Sequence, residues 1–577
     1  MDKTILRRAH VNDLHLPATL PALLKQIYAS RGVADADELL LTSQQLAPVT
    51  SLLGIEQACQ VIYAAIEQQL NIVIIGDFDA DGATSTALMM EGLALMGSRN
   101  HHFLVPNRFE YGYGLSPEIV EIAHQQGGQL IITVDNGISC VQGVERAKSL
   151  GLQVVVTDHH LPGNTTPKAD AIVNPNQVGC NFPSKALAGV GVAFYLMLAL
   201  RKHCREQDWF NRIGIAEPNI AQLLDLVALG TVADVVPLDA NNRILVAQGL
   251  KRIRAGHTRP GIQALIEIAN RDQHSLVASD FGFALGPRIN AAGRLDDMSY
   301  GINCLLAKEI NQARQMAAEL DHLNKARREI EQGMQQEAEQ VMAKLKFNEN
   351  NLPHALALFH PEWHQGVIGI VAGRIKEKYY RPTIVFAAAS DDNQDEIKGS
   401  ARSIPGLHIR DLLEHIHSQE PNLIIKFGGH AMAAGLSIQT KNFQRFQQCF
   451  NEYAGKWLTE EALQNILLTD GELPSQFFNL EFAEQLREAG PWGQHFLEPV
   501  FDDVFVLLQQ RIVGEKHLKL MVEKNGVAFD AIAFNVDIKA WPNSQAKKVH
   551  LAFKLDINEF RGKRNIQLMV EHIALAL

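Results

Sequence analysis

The stretch that most restricts what this chain can become is residues 72–85, Ile72-Val73-Ile74-Ile75-Gly76-Asp77-Phe78-Asp79-Ala80-Asp81-Gly82-Ala83-Thr84-Ser85. Four β-branched residues without polar alternation read as a strand buried on both faces of a parallel sheet. Three aspartates at alternate positions follow, then a glycine and the start of a helical pattern. Side chains just past the carboxyl end of such a strand sit where open α/β sheets bind ligands. Three carboxylates in five residues repel one another unless a cation lies among them. A hard divalent metal is the oxygen-seeking ion that fits. An acidic surface turn would not require this order of strand, acids, glycine and helix.

From about residue 55 to 250, apolar strands alternate with helical patterns. Strands are expected at 72–75, 103–105, 130–134, 154–156 and 171–173, which predicts a mostly parallel sheet with helices on both faces. Several of these elements run into polar chemistry. Val134 is followed by Asp135-Asn136-Gly137, Thr157 by Asp158-His159-His160, and the helical run 223–229 by Gly230-Thr231-Val232-Ala233-Asp234. Groups far apart in sequence would then converge on one rim of the sheet. The candidate ligands are Asp77, Asp79, Asp81, Asp135, Asp158, His159, His160 and Asp234. Carboxylates with imidazoles suit Mn²⁺ or Mg²⁺ better than structural zinc. Their number calls for two ions, an arrangement that phosphoester hydrolysis uses repeatedly. Asp77 and Asp79 are assigned to one ion, Asp81, His159 and Asp234 to the other, and Asp135 bridges them. Adjacent residues point in different directions, so His160 is expected to face substrate as a donor to a phosphate oxygen or as general acid. Asp158 would orient an imidazole. The reverse assignment of the two histidines stays open.

Residues 1–50 read as an amphipathic helical lead-in. Residues 282–297, rich in Gly, Arg and Asn, read as a functional loop or loop–helix junction. A long proline-free helical pattern from 310 to about 345 links two lobes. A second α/β unit covers about 353–455. Short alternating strands at 504–508, 517–522, 549–555 and 566–570 then predict a small β-barrel, for which an OB-fold is the commonest candidate. From Phe505 onward 11 Lys and Arg face 7 Asp and Glu, a local +4 in a chain of −11. Arg511, Lys516, Lys519, Lys554, Arg561, Lys563 and Arg564 are interleaved with Trp541, Phe553 and Phe560, the combination that binds single strands. A barrel that merely packs on the rest is the competing reading. The net charge excludes wholesale coating of nucleic acid but not a local basic groove. Six scattered cysteines without a CxxC pair argue for reduced thiols and against a zinc ribbon. The absence of an 18-residue apolar run and of a signal-peptide pattern points to a cytoplasmic protein with no membrane association.

Asp77-Phe78-Asp79-Ala80-Asp81-Gly82, Asp135-Asn136-Gly137, Asp158-His159-His160 and Asp234 resemble the four motifs of the DHH phosphoesterase superfamily. Gly428-Gly429-His430-Ala431-Met432-Ala433-Ala434-Gly435 is similar to the glycine-rich signature of its associated DHHA1 domain. The likeness, to the exonuclease branch, runs from around Tyr28-Ala29-Ser30-Arg31-Gly32-Val33 to Asp556-Ile557-Asn558-Glu559-Phe560-Arg561-Gly562. It implies an N-terminal segment (1–50), a DHH domain (51–305), a connecting helix (306–345), a DHHA1 domain (346–455) and an OB domain (460–577). It also implies a 5′→3′ exonuclease specific for single-stranded DNA. Such an enzyme uses Mn²⁺ or Mg²⁺, releases mononucleotides and serves recombination and mismatch repair. It would work as a monomer, with single-strand binding protein and a helicase as partners. Within that resemblance His160 and Asp158 are catalytic, and Arg108, Tyr113, Arg288, Ser400, Arg402 and His430 contact the strand. The alternatives are a DHH phosphoesterase acting on short oligonucleotides or cyclic dinucleotides, and a non-catalytic single-strand-binding scaffold.

Overall fold

The computed structural model describes residues 3–106, 114–344, 352–390, 393–560 and 562–576. Two compact units are present. One comprises Met1–Arg7 with Lys325–Thr469, the other Arg8–Asn324 with Asp470–Leu577.

The larger unit is built on five parallel strands. Across the sheet they run His101–Leu104, Ile72–Ile75, Leu130–Val134, Gln153–Thr157 and Ala171–Val173. Numbered along the chain, this is the order 2-1-3-4-5. Its winding reverses between Ile72–Ile75 and Leu130–Val134, the crevice where doubly wound sheets place their ligands. The continuous β-branched character of Ile72–Ile75 follows from burial on both faces. Ile72, Ile74, Leu130 and Ile132 pack on one side, with Ile62, Ala83, Val190 and Leu226 from the helices Ile55–Glu67, Ala80–Leu95, Gly189–Glu206 and Leu224–Ala233. Val73, Ile75, Ile131 and Val154 pack on the other, with Val120 and Val144 from Pro117–Gln125 and Val141–Ser149.

Residues 282–297 are not a loop. They form a π-helical turn, Phe281–Leu285, and a helix, Gly286–Leu295. The glycines and proline read as breakers but act otherwise. Pro287 lies in the first helical turn, where its missing N–H costs nothing. A Cβ at Gly293 would stand 1.9 Å from the Phe78 carbonyl oxygen, so only glycine lets this helix reach the aspartate loop.

The same unit contains a closed five-stranded barrel in the order Phe501–Val513, His517–Lys524, Val527–Ala533, Lys563–Leu575, Lys548–Phe560. Every pairing is antiparallel except that of Val527–Ala533 with Lys563–Leu575. The strand Val527–Ala533 escaped the sequence reading. An aromatic stack ties the barrel's lead-in to the chain's early residues. Tyr28 stacks with Trp492 and Phe496, whose centroids are 5.1 Å apart, and the Arg243 guanidinium lies 4.2 Å from the Phe496 centroid. Arg31 donates to Asp470 at 2.9 Å.

The smaller unit holds a mixed sheet in the order Lys426–Gly429, Ala433–Gln439, Asn393–Arg402, Thr383–Ser390, Leu356–Phe359. A helical lead-in is only partly realised at the chain's start. Thr4–Arg7 is a strand paired in parallel with Ile466–Thr469, and the first helix is Ala22–Ala29. The connecting helix runs Ile310–Lys344. Among the described residues no single helix is long and apolar enough to cross a membrane.

A buried ion cluster locks helices of the larger unit. Arg259 donates to Asp225 at 2.9 and 3.1 Å and to Glu91 at 2.9 Å, and both Arg259 and Asp225 are buried. Removing one partner leaves a buried guanidinium partly uncompensated. Asp225→Ala should therefore lower unfolding free energy by about 3 kcal/mol, read from urea denaturation.

Candidate active site

Each ligand candidate is placed by a local device. Asp77 follows the first strand and accepts the Phe78 N–H at 2.7 Å. Asp79 is the N-cap of Ala80–Leu95, accepting Gly82 N–H at 2.9 Å. Asp81, in the first turn of that helix, accepts the N–H groups of Gly189 and Val190 at 2.6 and 2.9 Å. Those two N–H groups open the helix Gly189–Glu206, whose positive end suits a carboxylate. Asp135 sits at φ +61°, a left-handed conformation that aspartate tolerates better than most residues. Next to it, Asn136 donates its amide to Ile75 O and Val134 O, lacing together the two strands at the reversal point. Asp234 ends the helix Leu224–Ala233 and is followed by Val235 at φ +64°. A β-branched residue there is strained by roughly 1–3 kcal/mol, a cost that tends to collect at functional sites.

These devices bring the groups together. His159 Nε2 lies 3.1 Å from Asp135 Oδ1, 3.5 Å from Asp234 Oδ2 and 3.9 Å from Asp81 Oδ2. Three sets can each offer ligand atoms within 4.8 Å of one another: Asp77, Asp79 and Asp135; Asp81, His159 and Asp234; Asp135, His159 and His160. Asp135 is common to the first and third. Burial raises the carboxyl of Asp135 well above the usual range, and the charges of Asp81, Asp79 and Asp77 raise it further. Asp234 is raised for the same reasons, and Asp81 is pushed up to about 7 by burial and by Asp79. Among the described residues nothing donates a hydrogen bond to the buried Asp234 Oδ2. Acids held this way keep protons unless a cation compensates them, so the donor set fits one or two hard divalent ions.

The second imidazole is held differently. Asp158 Oδ1 meets His160 Nδ1 at 2.7 Å and also accepts the N–H groups of His159 and His160, while its Oδ2 accepts Ile138 N–H. Burial opposes ionisation of Asp158, but His160 and these donors hold it below the usual range. Burial likewise opposes charge on His160, yet the hydrogen bond and charge of Asp158 raise it to about 9. Asn176 and Asn174 donate to the carbonyls of His159 and His160 at 2.6 and 2.9 Å, fixing the backbone of the pair.

The residues assigned to the strand fare unevenly. Arg108 and Tyr113 lie outside the described residues. Arg288 is committed internally: Nε and Nη2 each meet Asp321 Oδ1 at 2.9 Å, and Nη1 donates to Ala284 O. Ser400 and Arg402 come together in the smaller unit. Arg402 Nη1 donates to Ser400 Oγ at 3.1 Å, and a Cβ at Gly369 would lie 2.9 Å from both side chains. Burial lowers the Arg402 pKa. His430 is exposed in the turn joining Lys426–Gly429 to Ala433–Gln439.

On the barrel, the sequence reading of an aromatic face is corrected. Phe553 and Trp541 are buried, because Phe553 points inward opposite Phe501. Lys519 pairs with Asp530, Lys554 with Glu498 and Glu571, and Arg564 with Glu484 and Glu559. The side chain of Phe560 lies outside the described residues; among the described ones the exposed ring is Phe534, edge-on to His517.

Sequence reasoning missed Gly189, Asn290 and the two asparagines after Val173. A Cβ at Gly189 would lie 2.6 Å from Asp135 Oδ1, and Asn290 Oδ1 accepts Ala80 N–H at 2.8 Å. The signal for Gly189 was present in Ala188-Gly189-Val190-Gly191, a glycine at a helix start.

Three family profiles match the chain: the DHH family, N-terminal domain, over residues 71–231; the DHHA1 domain over 352–456; and the RecJ OB domain over 469–572. The single-stranded-DNA-specific exonuclease RecJ of Escherichia coli is 58% identical over 571 residues, covering 98% of both chains. The chain belongs to the RecJ family. The crystal structure of RecJ in complex with Mn²⁺ from Thermus thermophilus superposes with a TM-score of 0.81 at 28% identity, covering all of this chain and 80% of that one. The Mg²⁺ complex of the same RecJ gives 0.74 at 25% identity, covering all of this chain and 79% of that one. Metal-bound RecJ structures of this likeness agree with the donor set.

Two outcomes are expected. Gly189→Ala forces its methyl onto Asp135 and should weaken Mn²⁺ binding at least about tenfold in calorimetry, as displacing a group that positions a ligand does. Asp158→Asn removes the charge that holds His160 protonated. The His160 pKa should fall from about 9 toward or below the ordinary imidazole value in NMR titration of the metal-free protein, so protonated His160 is lost at lower pH.

Proposed function

We propose that this RecJ-family chain is a metal-dependent exonuclease that degrades single-stranded DNA from its 5′ end and releases mononucleotides. The observation that carries the reading is His159 Nε2 within 3.9 Å of Asp81, Asp135 and Asp234, at the reversal point of a parallel sheet. Bound there, Mn²⁺ or Mg²⁺ would supply Lewis-acid polarisation of the phosphodiester. Asp77, Asp79, Asp81, Asp135, His159 and Asp234 would hold the ions.

The chain's own groups do the rest. In the metal-free protein the hydrogen bond and charge of Asp158 raise the His160 pKa to about 9, and in this reading His160 donates to a phosphate oxygen. Asp158 holds its ring through Nδ1. Arg402 and Ser400, beside the start of the helix Ile368–Tyr379, offer a cation and a hydroxyl to a phosphate of the strand. Among the described residues no carboxylate pairs with Arg402. His430 adds a contact to the strand. Arg108 and Tyr113 keep the roles that the resemblance implies. Arg288 reaches the strand only by releasing Asp321. The barrel holds the unpaired strand through Phe534, Lys516 and the unburied basic residues around them. Work in recombination and mismatch repair, as a monomer in the cytoplasm alongside single-strand binding protein and a helicase, fits an enzyme of this specificity.

The deciding measurement is end-resolved product analysis on a 5′-phosphorylated single strand with Mn²⁺. Mononucleotides should appear from the 5′ end. Asp79→Ala or Asp81→Ala should lower cleavage by more than about 100-fold while strand binding persists. Equal rates on long strands and dinucleotides would instead favour a small-substrate phosphoesterase. Phe534→Ala should weaken long-strand binding about tenfold, read by fluorescence anisotropy.

A further inference from the structure

Phe283 is 80% exposed, more than any other Phe, Tyr or Trp among the described residues. It lies in the middle of the π-helical turn Phe281–Leu285. Turns of this kind insert one extra residue into a helix and are frequent at functional sites. The turn is firmly seated, since Phe281 and Leu285 are fully buried and Ala284 nearly so. Its seat is the end of the helix that delivers Asp234. A Cβ at Gly282 would lie 3.6 Å from Val232 Cγ1, and one at Gly286 would lie 3.1 Å from Ala233 Cβ. Val232 and Ala233 immediately precede Asp234, and the next residue, Val235, is itself 62% exposed. An outward aromatic ring on a firmly seated turn is therefore mounted on the scaffold of the candidate metal site, and among the described residues little packs over it.

We infer that Phe283 is a stacking platform for a nucleobase of the strand undergoing cleavage, and that it helps restrict the enzyme to unpaired DNA. The inference rests on the exonuclease reading. An aromatic face accepts any base, so the contact carries no sequence preference. A base inside a duplex has both faces covered by its neighbours and cannot use the platform. The ring touches no reacting atom, so its contribution falls on strand binding.

The test compares wild type, Phe283→Ala and Phe283→Trp on a 5′-phosphorylated single strand with Mn²⁺, and on the same strand carrying abasic sites at its first nucleotides. Phe283→Ala should raise KM about tenfold with kcat little changed and with an unchanged melting temperature. Phe283→Trp should restore the wild-type KM. On the abasic strand the difference between wild type and Phe283→Ala should vanish. Equal KM values on the normal strand, or an equal loss on both strands, would overturn the inference. A wild type that degrades neither strand would refute the exonuclease reading instead. Anisotropy with the two strands then judges the platform separately: Phe283→Ala must weaken binding of the normal strand only.

Discussion

Burying several like charges within reach of one another is the constraint on which the larger unit depends. Asp77, Asp81, Asp135 and Asp158 are all buried, and isolated carboxylates in such surroundings are strongly disfavoured. The fold answers with directed donors. Two N–H groups of the helix Gly189–Glu206 serve Asp81. The imidazole of His160 and the N–H of Ile138 serve Asp158. Asp135 and Asp234 are left with burial and neighbouring negative charge as their dominant influences. A divalent ion among them would offset that negative charge, so stability and chemistry would meet at the same atoms.

The surroundings bring backbones unusually close to this cluster. Gly189 stands against Asp135, Gly293 against the Phe78 carbonyl, and Gly230 would place a Cβ 3.2 Å from Asp81 Oδ1. Each glycine comes from a different helix, and each removes a methyl that would push the aspartate loop away. The asparagines work in the opposite sense. Asn136, Asn174, Asn176 and Asn290 each tie a side-chain amide to the backbone of an element next to the site. The geometry of the candidate ligands is thus enforced by polar laces and by missing side chains, while the acids themselves carry the charge.

The two histidines show how a dipeptide can be split between tasks. His159 turns toward Asp81, Asp135 and Asp234, whereas His160 is drawn by Asp158 into a pair that keeps it protonated. The barrel shows the same economy. Most of its described aromatic residues fill its interior, with Phe501, Phe505 and Phe553 in contact, while among the described side chains Phe534 is turned outward beside His517.

Much of this was legible in the chain. The strand–acid–glycine–helix order at 72–85 marks a buried parallel strand with ligands at its end, because β-branched runs and capping aspartates are local preferences. The recurrence of acids after Val134, Thr157 and Ala233 placed them on one rim, since alternating strands and helices leave few topologies. Pairwise geometry was not legible. Arg288 is taken up by Asp321, thirty-three positions away, and Phe553 faces the barrel core, because inward and outward positions depend on register and not on residue type. Residues 282–297 read as a loop or loop–helix junction because glycine and proline weaken isolated helices; Gly286–Leu295 is a helix whose Gly293 lies against the Phe78 carbonyl. Local chemistry singled out the candidate ligands by itself, whereas their donors, spacing and protonation came from tertiary contacts, which alone decide what each buried charge faces.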